Sequence, residues 1–396
     1  MTPVDRPLRV TWLGHGAERT GPPIYLLRIL EGLRDRSDIE PSVVLLEGGP
    51  LLAAFESLAP TTVVEGPPLT ATRRAAASVL SRTGADRRAQ QLVAGSRSPT
   101  DRQRPPPDVV VVNTAGSIRA LDALAAAPTH LITHVHELAT GLDYWLDPAW
   151  RRRVLDESQE LWVVADAVGE HLVSQYGVDP ARLRIHRGVL PSDALGPTDP
   201  AVRTGRRADL GVGPDDVLVG ASGTLDWRKA PDLFLEAAVR ATALARATLH
   251  FAWAGGDPAS QWGRWLTQQA AAVGLADRIH LVPEQDRPDR WFGALDLFLL
   301  PSREDAYPLV CLEAAAAGVP IVTFRSGGAP ELLVDGGGVA VDHPDVEALA
   351  AAVASLADDR ADRIRQGAAA RVAAQRHTIA QAIPPLVADL HRVATT

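Results

Sequence analysis

Lys229 is the only lysine in a chain that otherwise carries its permanent positive charge on thirty-nine arginines. An ammonium is a compact charge with three rotatable donors and a guanidinium is a planar fork, so the two are not interchangeable at a binding site. The one position that keeps lysine is therefore a candidate for a site that needs the compact charge. It follows a strand-like run at 217–223 that ends in Gly223, and it precedes a helical pattern opening at Pro231. A strand, a glycine turn and a cation at a helix start together favour a phosphate, because the free N–H groups and the helix dipole act in the same sense. The competing reading is a surface lysine that survived by chance. A second constellation lies at 300–315, LPSREDAYPLVCLEAA. It leaves an apolar strand, turns, and enters a helix near Pro308, where proline suits the first turn. Asp305 then stands on a loop at the carboxyl edge of the sheet. Glu313 follows after seven intervening residues, about one and a half turns into the helix. Carboxylates accept hydrogen bonds from vicinal hydroxyls, and a helix start leaves N–H groups free between the two acids. The set fits a ligand with hydroxyl groups at both ends and a diphosphate in the middle. A loop carboxylate in an Asx turn plus an exposed helix carboxylate is the plainer alternative.

A third group, THVHEL at 133–138, ends a predicted strand. Alternation puts His134 and His136 on one face, with Val135 and Glu137 opposite. A zinc site would need a third ligand at a recognisable spacing, and none follows. Either histidine also reads as a satisfied core residue.

Short apolar runs alternate with helical patterns along nearly the whole chain, which predicts parallel sheets covered by helices on both faces. Strands are expected at 8–14, 42–46, 62–65, 108–113, 130–134, 161–165 and 183–186, and then at 217–221, 249–254, 278–282, 295–300, 320–324 and 338–341. At 396 residues the chain exceeds what one core usually serves, so two domains of about 150–200 residues are expected. The predicted division is 1–197, 198–377 and a helical tail at 378–396, with the Pro-, Asp- and Gly-rich stretch 190–201 as the connection. The tail's apolar spacing predicts one or two short helices. Ligands of open parallel sheets bind beyond the carboxyl ends of the strands, so the cleft between two sheets is the expected site.

Hydrophobic content of 46% and charged content of 22% are ordinary for a soluble globular protein. The net charge of −8 argues against nucleic acid as a partner. Residues 68–107 depart from this, with eight arginines against two aspartates. They read as a solvated helix and a proline-rich loop, with contact to an acidic acceptor or anionic lipid as the alternative. Cys311 is the sole cysteine, which excludes an internal disulfide and a cysteine metal cluster. The first residues lack the apolar core of a signal peptide, and no run approaches the ~20 apolar residues of a membrane span. A cytoplasmic location is expected, and peripheral membrane contact is not indicated.

The 300–315 segment resembles the acidic E-x7-E signature of family-4 retaining glycosyltransferases, which have the α/β GT-B fold of two Rossmann-like, doubly wound domains facing across a cleft. GTLDWRKAPD at 223–232 is similar to that family's donor-phosphate segment, and FRSGGAPE at 324–331 continues the similarity. GHGAERTGPP at 14–23 resembles its first glycine loop. The match covers the second half well and the first half loosely. Asp305 replaces the usual first glutamate. Thr224 stands five positions before Lys229, where many members carry arginine. Arg228 is the candidate to supply that cation, and which of Arg228 and Lys229 meets the phosphate stays open. Ala230 replaces the glycine that usually follows the lysine, a replacement that suits a negative φ.

The resemblance implies a hexosyltransferase-type enzyme that moves a sugar from a nucleoside diphosphate sugar to a hydroxyl acceptor, whether polysaccharide, glycolipid or small metabolite, with retention of configuration and with neither cofactor nor divalent metal. The absence of any Asp-x-Asp agrees with clamping by cations and helix dipoles. In the implied roles, Lys229 and Arg228 neutralise the departing diphosphate. Asp305 holds hydroxyls of the transferred sugar and Glu313 those of the ribose. His136, nearer the strand end than His134, contacts the sugar beside its anomeric carbon. The backbone at Tyr307, Pro308 and Leu309 approaches the sugar, Gly16 and Gly21 approach the diphosphate from the first domain, and Gly223, Thr224, Gly327 and Gly328 complete the donor site. Gly327-Gly328 also reads as a plain strand-to-helix turn in which Glu331 only favours the helix start. Two other functions compete: a nucleotide-sugar epimerase on the same fold, and a non-catalytic sugar-nucleotide-binding partner subunit. On the transferase reading, Lys229→Ala removes transfer and leaves the melting temperature without ligand nearly unchanged.

Overall fold

The computed structural model describes residues 6–64, 105–124, 127–191, 193–196, 199–285 and 288–395. The arginine-rich segment expected to form a solvated helix and loop lies almost wholly outside the described residues. Among them, thirteen strands form two all-parallel sheets. The first contains β1 (Leu8–Gly14), β2 (Ile39–Leu45), β3 (Thr61–Val63), β4 (Val109–Asn113), β5 (His130–Val135), β6 (Glu160–Val163) and β7 (Leu183–Ile185), in the spatial order β3-β2-β1-β4-β5-β6-β7. The second contains β8 (Val217–Ser222), β9 (Leu249–Ala254), β10 (Ile279–Val282), β11 (Leu297–Leu300), β12 (Ile321–Phe324) and β13 (Gly338–Val341), ordered β10-β9-β8-β11-β12-β13. Each order reverses beside its first strand, which opens a crevice at the carboxyl ends of β1/β4 and of β8/β11.

The strands form where the chain is apolar without alternation, because helices bury both faces of each sheet. Every residue of β4, β9 and β11 is buried. Boundaries depart from expectation where side chains intervene. β11 starts at Leu297 rather than at Leu295, since Asp296 belongs to an anchored entry loop. Its carboxylate takes Leu218 N at 2.9 Å and the guanidinium groups of Arg203 and Arg207 at 2.6 Å.

The tail is one helix, Ile379–Ala394, running through Pro384 and Pro385. Two prolines inside a helix remove two backbone bonds, and a buried seam of Ile383, Leu386, Val387, Leu390 and Val393 compensates. The seam packs on the helix Gly21–Leu33 beside the first sheet, where a Cβ on Gly32 would lie 2.4 Å from Ile383 Cγ1. No described helix is long and apolar enough to cross a membrane.

The chain passes twice between the sheets, and the two crossings run side by side. Leu190 N donates to His377 O at 2.7 Å, and Leu190 bridges Thr378. The His377 ring is wedged here, with Nδ1 3.2 Å from Gly188 O and Nε2 3.2 Å from Tyr307 Oη. The neutral tautomer satisfies both contacts, since Nδ1–H donates to the carbonyl and Nε2 accepts from the phenol. Burial pulls the His377 pKa from 6.5 down to about 4. The unfolded chain therefore takes up this proton first, so the contribution is whole above pH 6.5 and is lost as pH falls toward 4. One such group accounts for roughly 3 kcal/mol. Between these pH values the wild-type melting temperature is expected to fall more steeply than that of His377→Gln, and parallel slopes would exclude the assignment.

Candidate functional site

A cavity of about 880 Å³ lies between the carboxyl ends of the two sheets. That is the size range of small-molecule sites. Lys229, Arg228, Asp305, Glu313 and His136 all line it, as do Gly21, Gly223, Thr224, Tyr307, Pro308 and Leu309. Gly16, Gly327 and Gly328 do not line it.

The second-domain wall is two loops locked together. Beyond β8, Gly223 takes φ +130°, and a Cβ there would stand 3.2 Å from Lys229 Cε. Glycine lets the lysine stem run back over the turn. Asp226 fixes the turn by accepting Lys229 N at 2.8 Å on its side chain and Ala230 N at 3.1 Å on its carbonyl. Ala230 is buried with φ +58° and ψ +62° and caps the helix Pro231–Leu244. Ala230 thus lacks the negative φ that would suit an alanine: the chain keeps the left-handed turn that glycine takes easily, at a cost of about 1–2 kcal/mol. The other loop follows β11. Arg303 N donates to Arg228 O at 2.9 Å, and the Arg303 guanidinium clasps Asp232 at 2.6 and 2.9 Å.

Where the loops meet, Lys229 Nζ donates to Asp305 Oδ2 at 2.6 Å, with the two residues 8% and 9% exposed. Arg228 Nη1 reaches the same oxygen at 3.3 Å and Glu304 O at 3.2 Å. Both cations are therefore at one spot, on the same Asp305 oxygen. Burial alone would raise the Asp305 pKa, but Lys229 and then Arg228 outweigh it, and the net shift is downward. The cluster holds two positive charges against one negative, with a surplus positive charge facing the cavity.

Gly327 and Gly328 serve this loop from behind. Asp305 bridges Gly327, and Gly328 N donates to Asp305 O at 3.1 Å. A Cβ on Gly327 would lie 1.9 Å from Asp305 O and one on Gly328 2.2 Å from Ala306 O. Close backbone approach accounts for both glycines here, in line with the strand-to-turn alternative. A Cβ on Gly16 would stand 3.6 Å from Glu47 Cβ.

In the first domain, His134 is inside the core, with Nε2 3.0 Å from His186 O. His136 is on the cavity wall, and among the described residues its buried Nε2 has no hydrogen-bond partner. Burial, with His15 as a lesser cause, pulls its pKa down to about 3, so it is neutral at physiological pH. The predicted alternation ends with β5 at Val135, and Glu137 turns to the cavity as well. Its Oε2 accepts His136 N at 2.8 Å and Ala115 N at 3.2 Å. Burial raises its pKa.

Three glutamates of the second domain reach across the cleft. Glu313 Oε1 pairs with Arg28 at 2.5 Å. Glu304 accepts Thr140 N at 3.1 Å and Thr140 Oγ1 at 3.0 Å. Glu331 accepts Ala167 N at 3.0 Å, in the first turn of the helix Asp166–Tyr176, and pairs with Arg187 at 2.9 Å. Glu331 therefore favours a helix start, but of a helix in the other domain. Arg28, Glu137 and Glu304 were not singled out in the sequence. Arg28 carried a signal, a charge inside the apolar run Tyr25–Leu30.

The family model described as "Glycosyl transferases group 1" matches residues 216–359, and that described as "Glycosyl transferase 4-like domain" matches residues 20–188. Together they take in every strand but β1, and the chain belongs to the family-4-type glycosyltransferases with the GT-B fold. D-inositol 3-phosphate glycosyltransferase of Mycobacterium marinum is 34% identical over 229 residues, 57% of this chain and 47% of that enzyme. The enzyme of the same name from Geodermatophilus obscurus is 34% identical over 223 residues, 53% of this chain and 49% of the enzyme. The chain spans about half the length of the curated relatives it matches. Among solved structures, Anabaena HepE in complex with UDP and glucose aligns with a TM-score of 0.76 at 17% identity, covering 97% of this chain and 100% of HepE. Sucrose-phosphate synthase from Thermosynechococcus elongatus aligns with a TM-score of 0.73 at 18% identity, covering 98% of each. The two curated relatives are named as glycosyltransferases, not epimerases.

The burial of Lys229 changes one expectation. Removing one partner of a buried ion pair typically costs about 3–5 kcal/mol, whereas removing both charges costs far less. Arg228 softens the loss, so Lys229→Met should destabilise the protein by about 3 kcal/mol rather than leave it unchanged. The double variant Lys229→Met/Asp305→Asn should recover part of that in urea unfolding. A single variant as stable as wild type would show that the pair contributes nothing.

Proposed function

We propose that this protein transfers a sugar from a nucleoside diphosphate sugar to a hydroxyl acceptor, with retention of anomeric configuration, without a divalent metal, and in the cytoplasm. The observation that carries the proposal is the Lys229–Arg228–Asp305 cluster, whose surplus positive charge faces the cleft beside the start of the helix Leu309–Ala316. Charge develops on the leaving diphosphate as the bond from the anomeric carbon to its oxygen breaks, and a preorganised cation in a partly desolvated site stabilises it most. Lys229 and Arg228 take that role. Asp305, kept ionised by the same cations, accepts hydroxyls of the sugar, and its remaining lone pairs serve for this. The acceptor oxygen bonds to the anomeric carbon on the face the phosphate leaves, and its proton passes to the departing phosphate oxygen. Neutral His136 hydrogen-bonds the sugar and does not act as a base, in keeping with its low pKa. Relatives named for transfer to D-inositol 3-phosphate and a fold neighbour holding UDP and glucose support this reading.

The test has two stages. Thermal-shift screening against UDP, GDP, ADP and TDP should find one that raises the melting temperature, since a ligand bound only to the folded state stabilises it by mass action. The matching sugar donors are then incubated with acceptors, D-inositol 3-phosphate among them, with and without a chelator. The expected product keeps the donor's anomeric configuration by NMR and forms equally with chelator. An inverted product would exclude the retaining mechanism, and loss of activity with chelator would exclude metal independence. Nucleotide binding without transfer or donor hydrolysis would favour the non-catalytic subunit.

A further inference from the structure

Arg28 is a buried charge that the roles above leave unused. It lies on the helix Gly21–Leu33 among buried Tyr25, Leu26, Ile29 and Leu30, and is itself 9% exposed. Nothing in the sheet or the helix requires a cation there, and taking one out of water is costly unless it is paired. Its guanidinium has two partners on opposite sides. Nη1 donates to Val189 O at 2.7 Å, on the first crossing between the sheets. Nη2 donates to Glu313 Oε1 at 2.5 Å, in the helix Leu309–Ala316. Both residues line the cavity, and among the described residues Glu313 Oε2 accepts no hydrogen bond.

We propose that Arg28 is a positioning residue for the nucleotide end of the donor. It fixes the Glu313 carboxylate through Oε1, which leaves Oε2 to accept from the ribose diol. This rests on the donor-site reading above and adds a residue from the opposite domain to it. The physical reasons are two. A guanidinium remains charged at every working pH, so its hold on Oε1 does not lapse. A long side chain held at one oxygen also has its rotamer set, so the second oxygen meets the ribose without further ordering cost. Because Arg28 is tied to the Val189 carbonyl as well, ribose recognition needs the first domain in contact with the second. The nucleotide is then read fully only in the closed cleft.

Discrimination between ribose and deoxyribose tests this directly. A charge-assisted hydrogen bond to a sugar hydroxyl corresponds to about tenfold or more in affinity. The probes are UDP, GDP or ADP, whichever binds the wild type most tightly, and the 2′-deoxy and 3′-deoxy forms of that nucleotide, titrated by calorimetry. The wild type is expected to prefer the ribonucleotide by about tenfold or more. Arg28→Met, which keeps the stem, should bring the ratio close to one by weakening the ribonucleotide alone, and Arg28→Lys should retain part of it. Because the ratio is taken within each variant, a change in folded fraction cancels. Glu313→Gln, which leaves Arg28 in place, should also lower the ratio and serves if Arg28→Met does not fold. A wild-type ratio in Arg28→Met or in Glu313→Gln overturns the positioning role while the donor-site reading stands. Equal binding of ribo and deoxy forms by the wild type overturns it too. A wild type that binds none of the nucleotides overturns the donor-site reading and this inference with it.

Discussion

One buried contact, Lys229 Nζ to Asp305 Oδ2 at 2.6 Å, ties the loop after β8 to the loop after β11. These strands are neighbours in the second sheet, so their loops emerge side by side and their opposite charges meet with little solvent between them. Everything at the cavity's second-domain wall follows from keeping that contact. Gly223 is needed so that the lysine stem can fold back, Ala230 accepts an unfavourable φ so that the turn closes, and Gly327 and Gly328 lie flat so that the Asp305 loop can be backed by its neighbour. The charge balance follows as well. Arg228 joins the same oxygen and leaves the cluster cationic, the state an anionic leaving group calls for.

The cleft is held by acids of the second domain reaching to the first. Glu304, Glu313 and Glu331 each find a partner there, respectively Thr140, Arg28 and the Ala167 N–H with Arg187. The paired crossings at Leu190 and His377 reach the cavity through Gly188 and Tyr307, which line it. This clasp of ion pairs and hydrogen bonds stands beside apolar packing that is continuous between the domains, with Tyr307, Leu309 and Leu312 against Gly188. Asp305 differs from the three glutamates in this respect. It is satisfied within its own domain, so its position does not depend on closure.

Much of this was legible in the sequence, for identifiable reasons. Parallel strands buried on both faces appear as unbroken apolar runs, so the strands were placed to within a few residues, and the chemistry-bearing loops fall at their carboxyl ends. Lys229 stood out because the chain has no other lysine, and Asp305 and Glu313 because their spacing resembles a known signature. The cross-cleft pairs were not legible. Arg28 and Glu313 are 285 positions apart, and no local periodicity reports that the domains bring them together. Dihedral angles are equally silent: a negative φ would have suited Ala230, which is at +58°. Gly327 and Gly328 were placed in the donor site by similarity, whereas steric contact with Asp305 O and Ala306 O explains them. A glycine kept for backbone approach and one kept for a ligand look alike in a sequence.

The central claim is that the cation pair held by Asp305 is where the diphosphate is bound. A crystal structure with a bound nucleoside diphosphate tests it most directly. The expected result is a phosphate oxygen about 3 Å from Lys229 Nζ or Arg228, with Asp305 still in contact with the lysine. A diphosphate bound elsewhere in the cleft, with both cations directed only at Asp305, would contradict it.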